Sequence, residues 1–289
     1  MGQTTDETIA RRIGQSLIAV KGAGDLATGV IHRLCRAGFP VVATELPEPT
    51  VVRRTVSFAE AVLLGEMTVE GITARRAASP EEVVELLAQG RVPLVVDPEG
   101  RLFRQLHPLA LVEATLSKHN TGITIDDAPI VIALGPGYEA GRDVHAVVET
   151  NRGHNLGRVY YEGCAEPDTG VPGAIAGYTI ERLLKAPVGG KLYGARQIGD
   201  MVQAGEIIAH IHEAGCVGEP CSCQPTPIIA AIPGILRGLL RDGLTVKAGM
   251  KVGDIDPRAA SEHCFTISDK SRAIGGGVLE AILHLMQRL

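Results

Sequence analysis

The sequence has no tryptophan, and aromatic residues make up 3% of its 289 positions. An interior this poor in rings must be filled by aliphatic side chains, and with 45% of residues hydrophobic there are enough of them. No apolar run reaches the ~18 residues that a membrane-crossing helix needs. The start, Met1 to Ser16, is polar and lacks the hydrophobic core of a secretory signal. Positive charge is not in excess: 28 Lys and Arg against 33 Asp and Glu leave a net charge of -5. That balance argues against nucleic acid or an anionic membrane as the main partner. Together these absences point to the cytoplasm, where the 6 cysteines stay reduced.

Glycine is abundant, with 35 residues, and the most informative glycines come early. Leu17-Ile18-Ala19-Val20-Lys21 has the length and character of a buried strand. Gly22-Ala23-Gly24-Asp25-Leu26-Ala27 follows, then a helical pattern to Ala37. A strand, a G-x-G-x-x-A turn and a helix open a dinucleotide-binding unit, with amide protons at the helix start facing a pyrophosphate. The apolar run Val41-Val42-Ala43 leads to Glu45. Glu45 lies where an acid would meet a ribose hydroxyl, ~20 residues on. Asp25 is the awkward member, a negative charge beside the expected phosphate.

Further along, Ser79-Pro80-Glu81-Glu82 reads as a capped helix start. Val92–Val96, Ile130–Leu134 and Val144–Val148 read as strands. Thr50–Leu64 and His107–Leu116 read as helical, with Arg53 and Arg54 either on a solvated face or free for a nucleotide phosphate or a carboxylate. Alternating strands and helices imply a largely parallel sheet, with ligands at the carboxyl ends of its strands. Those exits carry Gly22–Asp25, Glu45, Asp97, Gly135-Pro136-Gly137, and Glu149 to His154. The candidate ligand-binding set is therefore Gly22, Ala23, Gly24, Asp25, Leu26, Ala27, Glu45, Gly135, Gly137, Asn151 and Arg152. Glu149, His154 and Asp97 are candidates for acid–base work, and Lys21 is a further candidate.

The second half changes style to short strands and frequent glycines, and it repeats at a constant spacing of 44 residues. Gly190 matches Gly234, Leu192 matches Leu236, Val202 matches Val246, and Ala204-Gly205 matches Ala248-Gly249. This half resembles a biotinyl/lipoyl-type barrel sandwich. That family carries its cofactor on a lysine between the halves, and no lysine lies between Lys191 and Lys247. The same segment holds His210, His212, Cys216, Cys221 and Cys223. Their spacing matches no standard zinc knuckle, so the three cysteines are either incidental or serve to bind a soft metal or handle a sulfur species. Near the end, Gly275-Gly276-Gly277 precedes a helical run from Val278 to Met286. These glycines either form a second anion-binding turn or let that helix fold back on the first domain.

The expected organisation is thus a polar tail over 1–15 and a Rossmann-like nucleotide-binding domain over 16–156. A β-rich domain follows over 157–266, with repeats at 186–211 and 230–255, and a C-terminal helix over 267–289 returns to the first domain. Lys21-Gly22-Ala23-Gly24-Asp25-Leu26-Ala27, Gly135-Pro136-Gly137 and Gly275-Gly276-Gly277 join a more specific run, Glu149-Thr150-Asn151-Arg152-Gly153-His154-Asn155-Leu156-Gly157-Arg158. With these segments the chain resembles the YqeB family of selenium-dependent molybdenum hydroxylase accessory proteins. More distantly it is similar to XdhC-type maturation factors. The resemblance implies a molybdenum hydroxylase as partner and leaves open whether any reaction is catalysed. The ligand would be a dinucleotide, either NAD(P) or the molybdenum cofactor as molybdopterin dinucleotide. An NAD(P)-dependent oxidoreductase and a non-catalytic interaction module stand as alternatives.

Overall fold

The computed structural model describes residues 16–168, 170–212 and 224–289. Its helices are α1 (Asp25–Arg36), α2 (Ala61–Leu64), α3 (Pro80–Ala88), α4 (Arg101–Leu106), α5 (Glu262–Phe265) and α6 (Asp269–Met286). No helix among the described residues is long and apolar enough to cross a membrane. The chain divides into two units. One takes the described residues through Pro49, Ser57–Asp168 and Ile267–Leu289; the other takes Thr50–Val56 and Thr169–Thr266.

The first unit contains β1 (Ile18–Lys21), β2 (Val41–Glu45), β3 (Glu66–Val69), β4 (Ile72–Ala77), β5 (Val92–Val96) and β6 (Ala110–Glu113). It continues with β7 (Ile130–Leu134), β8 (Glu139–Ala140), β9 (Ala146–Val148), β10 (Val159–Tyr160) and β11 (Gly163–Cys164). Nine of these form one sheet in the order β10-β9-β7-β6-β1-β2-β5-β4-β3, and β8 pairs with β11. The strands from β9 to β4 run parallel, and β10 and β3 close the two ends antiparallel. Val, Ile, Leu and Ala bury both faces of the central strands, as helix-covered parallel strands require.

This overturns the expected Rossmann-like parallel sheet. The sheet is mixed, and the strand–helix alternation lapses: β6 reaches β7 through a single 3-10 turn, and β7 reaches β9 through the short β8. The stretch read as a helix over His107–Leu116 is strand β6, buried at all four positions. A short apolar run fits a buried strand and a buried helix equally well, so periodicity could not separate them.

Helix α6 starts nine residues before Val278, with Ser268 as its cap: Ser271 N–H donates to Ser268 Oγ at 3.1 Å. The three glycines therefore lie inside the helix rather than in a turn ahead of it. They allow close approach. A Cβ on Gly275 would lie 2.8 Å from the Gly29 carbonyl oxygen of α1, and one on Gly277 would collide with the Gly157 carbonyl.

The second unit contains β12 (Leu183–Lys185), β13 (Gly190–Gly194), β14 (Met201–Val202), β15 (Ile207–His212), β16 (Thr226–Ile229), β17 (Gly234–Leu239), β18 (Thr245–Val246) and β19 (Lys251–Asp256). They form two separate antiparallel sheets, β12-β19-β17-β14 and β16-β15-β13-β18. That arrangement replaces the single barrel sandwich expected from the repeat. The copies exchange strands: Gly190 of the first pairs with Val246 of the second, and Gly234 of the second pairs with Val202 of the first. Each glycine also meets backbone at the matching place. A Cβ on Gly190 would lie 2.2 Å from the His212 carbonyl oxygen, and one on Gly234 would lie 2.6 Å from that of Asp256. An aliphatic core including Leu192, Ile208, Ile211, Leu236, Val252 and Ile255 fills this unit.

Thr50–Val56, read above as the start of a helix, belongs to this second unit. Leu239 N–H donates to the Val52 carbonyl, and Arg54 Nε donates to the Leu239 carbonyl at 2.7 Å. Arg53 donates to the carbonyls of His263 and Thr266.

Candidate functional site

The carboxyl ends of β1, β2, β6, β7 and β9 bring Lys21, Glu45, Glu113, Gly135 and Glu149 to one edge of the first unit's sheet. Edge position follows from parallel pairing: every such strand exits on the same side.

The glycine turn comes first. Gly22 adopts φ 96°, a left-handed conformation that glycine reaches without strain. Its N–H donates to the Thr44 carbonyl at 2.9 Å. Gly24 caps α1, Asp25 is the acid of its first turn, and Leu26 and Ala27 are buried. Glu45 turns inward. Its Oε2 accepts from Ala23 N–H at 2.8 Å and its Oε1 from Leu46 N–H at 2.8 Å. Burial pushes the Glu45 carboxyl upward, and those two amide bonds pull the other way. Two amides of the turn, those of Gly22 and Ala23, are therefore occupied by protein, and both oxygens of the residue expected at a ribose are engaged.

Next to the turn sits a polar network that includes three residues the sequence reading missed. Glu113 is 1% exposed. Its Oε1 accepts from Thr115 N–H at 2.9 Å, and its Oε2 accepts from Thr121 Oγ1 at 2.7 Å. Lys21 Nζ lies 3.3 Å from that same Oε2 and donates to Thr121 Oγ1 at 2.8 Å. Tyr138 OH accepts from Thr121 N–H and meets Thr121 Oγ1, both at 2.9 Å. The Tyr138 phenol is raised by burial, so it holds its proton. A signal for Glu113 was present: like Lys21 and Glu45, it is a charged residue closing an apolar run. Reading Ala110–Glu113 as helical concealed it.

The E-T-N-R-G-H-N run forms a second, tightly bonded patch. Glu149 is fully buried and accepts from the N–H groups of Thr150, Asn151 and Glu166 at 2.7–2.8 Å. Asn155 and Asn151 both donate to the Glu166 carboxylate, and their bonds lower its pKa. Arg152 makes a two-pronged pair with Asp269 at 2.7 and 3.0 Å, and His154 is exposed. Gly135 packs on Thr150, where a Cβ would lie 2.6 Å from its hydroxyl, and Gly137 packs on the backbone of Ser117 and His119. Asp97 accepts from Leu102 N–H at 2.8 Å near the start of α4.

The structure thus gathers Gly22–Ala27 with Glu45, and separately Gly135 with the Glu149 run. Cys216, Cys221 and Cys223 lie outside the described residues. Among the described residues no group of three or more His, Cys, Asp or Glu side chains could hold a metal. An open cavity of about 520 Å³, lined by Leu64, Gly65, Glu66, Arg75, Arg76 and Ala78, adjoins the β3–β4 hairpin and includes none of the candidate residues.

No family model matches the chain. Among solved structures, it is similar to an aspartoacylase family protein from Mesorhizobium loti (14% identity, 84% of this chain and 85% of that chain, TM-score 0.30). It is also similar to a succinylglutamatedesuccinylase/aspartoacylase from Rhodobacter sphaeroides (15% identity, 83% of this chain and 85% of that chain, TM-score 0.29). Overlaps this loose bear on neither fold nor chemistry. Among curated proteins, the "Uncharacterized protein YqeB" of Escherichia coli (strain K12) is 50% identical over 275 residues. That alignment takes in 95% of this chain, which spans 49% of the relative's length. Identity at half of the positions across nearly the whole chain supports the YqeB family, to which the E-T-N-R-G-H-N-L-G-R run pointed.

Proposed function

We propose that this chain serves the maturation of a selenium-dependent molybdenum hydroxylase and takes a phosphate-bearing, nucleotide-type small molecule at the carboxyl edge of its parallel strands. The observation that carries the reading is Lys21. This lysine is 8% exposed at the exit of the central strand, directly before a glycine turn and the start of a twelve-residue helix. A cation and the positive end of a helix at the same sheet edge favour an anion. The client enzyme enters through the family resemblance. Glu45 is engaged on two amides, which weakens the case for ribose recognition by an NAD(P)-dependent oxidoreductase.

The test is to identify by mass any small molecule that accompanies the purified chain, and to measure thermal shifts with NAD, NADP, ATP, CTP and molybdopterin dinucleotide. A ligand of the folded state raises the melting temperature by mass action. A shift with one of these nucleotides and co-purification with a molybdenum hydroxylase are the expected results. No shift with any of them would overturn the ligand half of the reading, and failure to retain a hydroxylase would overturn the client half.

A further inference from the structure

The hydrogen-bond inventory of Thr121 determines which way every proton in the Lys21 network points. A hydroxyl donates once and accepts twice. Thr121 Oγ1 has three neighbours: Lys21 Nζ at 2.8 Å, Glu113 Oε2 at 2.7 Å and Tyr138 OH at 2.9 Å. An ammonium only donates and a carboxylate only accepts, so Thr121 receives from Lys21 and donates to Glu113. With the single hydroxyl proton of Thr121 given to Glu113, Tyr138 OH is the donor to its second lone pair, while itself accepting from Thr121 N–H. Thr121 is then saturated.

Lys21 carries three ammonium protons. One goes to Thr121, and one faces the Glu113 carboxylate at 3.3 Å. The third meets no acceptor among the described residues. The cation is therefore oriented by two fixed partners and keeps one donor for something else. Thr121 itself is exposed, so this network reaches from the protein interior to solvent.

We infer that Lys21 is the residue that contacts the ligand's anionic oxygen, with Glu113, Thr121 and Tyr138 as positioning residues that fix its ammonium at the strand edge. This rests on the reading of the strand edge given above and assigns the contact within it. Phosphate oxygen is the expected acceptor. A carboxylate oxygen presents the same chemistry to an ammonium, and the experiment separates the two.

The full chain is titrated calorimetrically with inorganic pyrophosphate, ADP and succinate. Wild type is expected to bind pyrophosphate and ADP. Lys21→Met leaves Glu113 buried without its cation and can fail to fold, so the decisive variant is Lys21→Met with Glu113→Gln, which removes both charges together. It should lose affinity at least tenfold. Thr121→Val should lose three- to tenfold, and Thr121→Ser, which keeps the hydroxyl, should restore it. Pyrophosphate and ADP affinities unchanged within twofold in the double variant would overturn the assignment while leaving a nucleotide-type ligand standing. Binding of succinate alone, lost in the double variant, would keep Lys21 as the anion contact and overturn the nucleotide reading. Binding of none of the three by wild type would overturn both.

Discussion

Lys21 and Glu113 are register partners on adjacent parallel strands, and their side chains meet with Nζ 3.3 Å from Oε2 at a place where both are almost wholly buried. An ion pair taken out of water is costly to break from one side, because the remaining charge loses its counter-charge but not its burial. Lys21→Met should therefore destabilise the first unit by about 3 kcal/mol. The double variant with Glu113→Gln should recover part of that loss. Urea denaturation of the single and double variants measures the difference. Equal stability of wild type and Lys21→Met would show that the pair carries little energy.

The acid sensitivity of the second unit should trace to Asp256. This carboxylate is fully buried, which by itself would raise its pKa. The Arg258 guanidinium and amide, bonded at 2.6–3.0 Å, together with Arg237, outweigh burial and hold it at about 2. A carboxyl depressed in the folded state contributes stability that is present above its unfolded pKa and is lost as pH falls through the folded value. The loss should run from about pH 4 down to about pH 2 and amount to roughly 2 kcal/mol. Melting temperatures of wild type and Asp256→Asn across that range test it. The variant should start lower at neutral pH and show a flatter acid slope.

Two helical glycines should respond in opposite directions to the same substitution. Replacing glycine by alanine inside a helix ordinarily stabilises by about 1 kcal/mol. Gly276 has open space around a built Cβ, so Gly276→Ala should raise the melting temperature. Gly29 faces Ser271, whose Cβ and carbonyl oxygen would lie 2.5 and 2.8 Å from the new methyl. Gly29→Ala should therefore destabilise by about 1–3 kcal/mol. Two alanine variants that melt alike would contradict the close crossing of α1 and α6.

Glu149→Gln separates anchoring from acid–base work. The wild-type carboxylate accepts from three backbone amides, and the amide side chain offers only one oxygen. A loss of about 2 kcal/mol is expected, since buried N–H groups are left without acceptors. Arg152→Ala breaks a pair whose Asp269 partner is exposed and should cost less than about 1 kcal/mol. If Arg152 also contacts ligand, its variant will bind nucleotide more weakly with stability nearly intact, and a thermal-shift titration reads both quantities at once.

Some of this protein follows from local chemistry alone. The buried character of β1, β2, β5 and β7 follows from their apolar runs. Ser79-Pro80-Glu81-Glu82 announces α3, whose Ser79 side chain accepts from Glu82 N–H. The 44-residue repeat reappears as two sets of strands, because glycines at equal spacing meet backbone at equal places. Tertiary pairing decided the rest. Whether Ala110–Glu113 would be strand or helix depended on the β1 and β7 edges waiting on either side, and periodicity carries no trace of neighbours distant in sequence. The exchange of strands between repeat copies likewise depends on which partners are near. So does the placement of Gly275–Gly277 within α6, with Gly275 against the first helix and Gly277 against Gly157, rather than in a turn ahead of the helix. Above all, Lys21 and Glu113 are separated by a long stretch of chain. Only parallel register brings a cation and an anion from two strand ends into one hydrogen-bonded group.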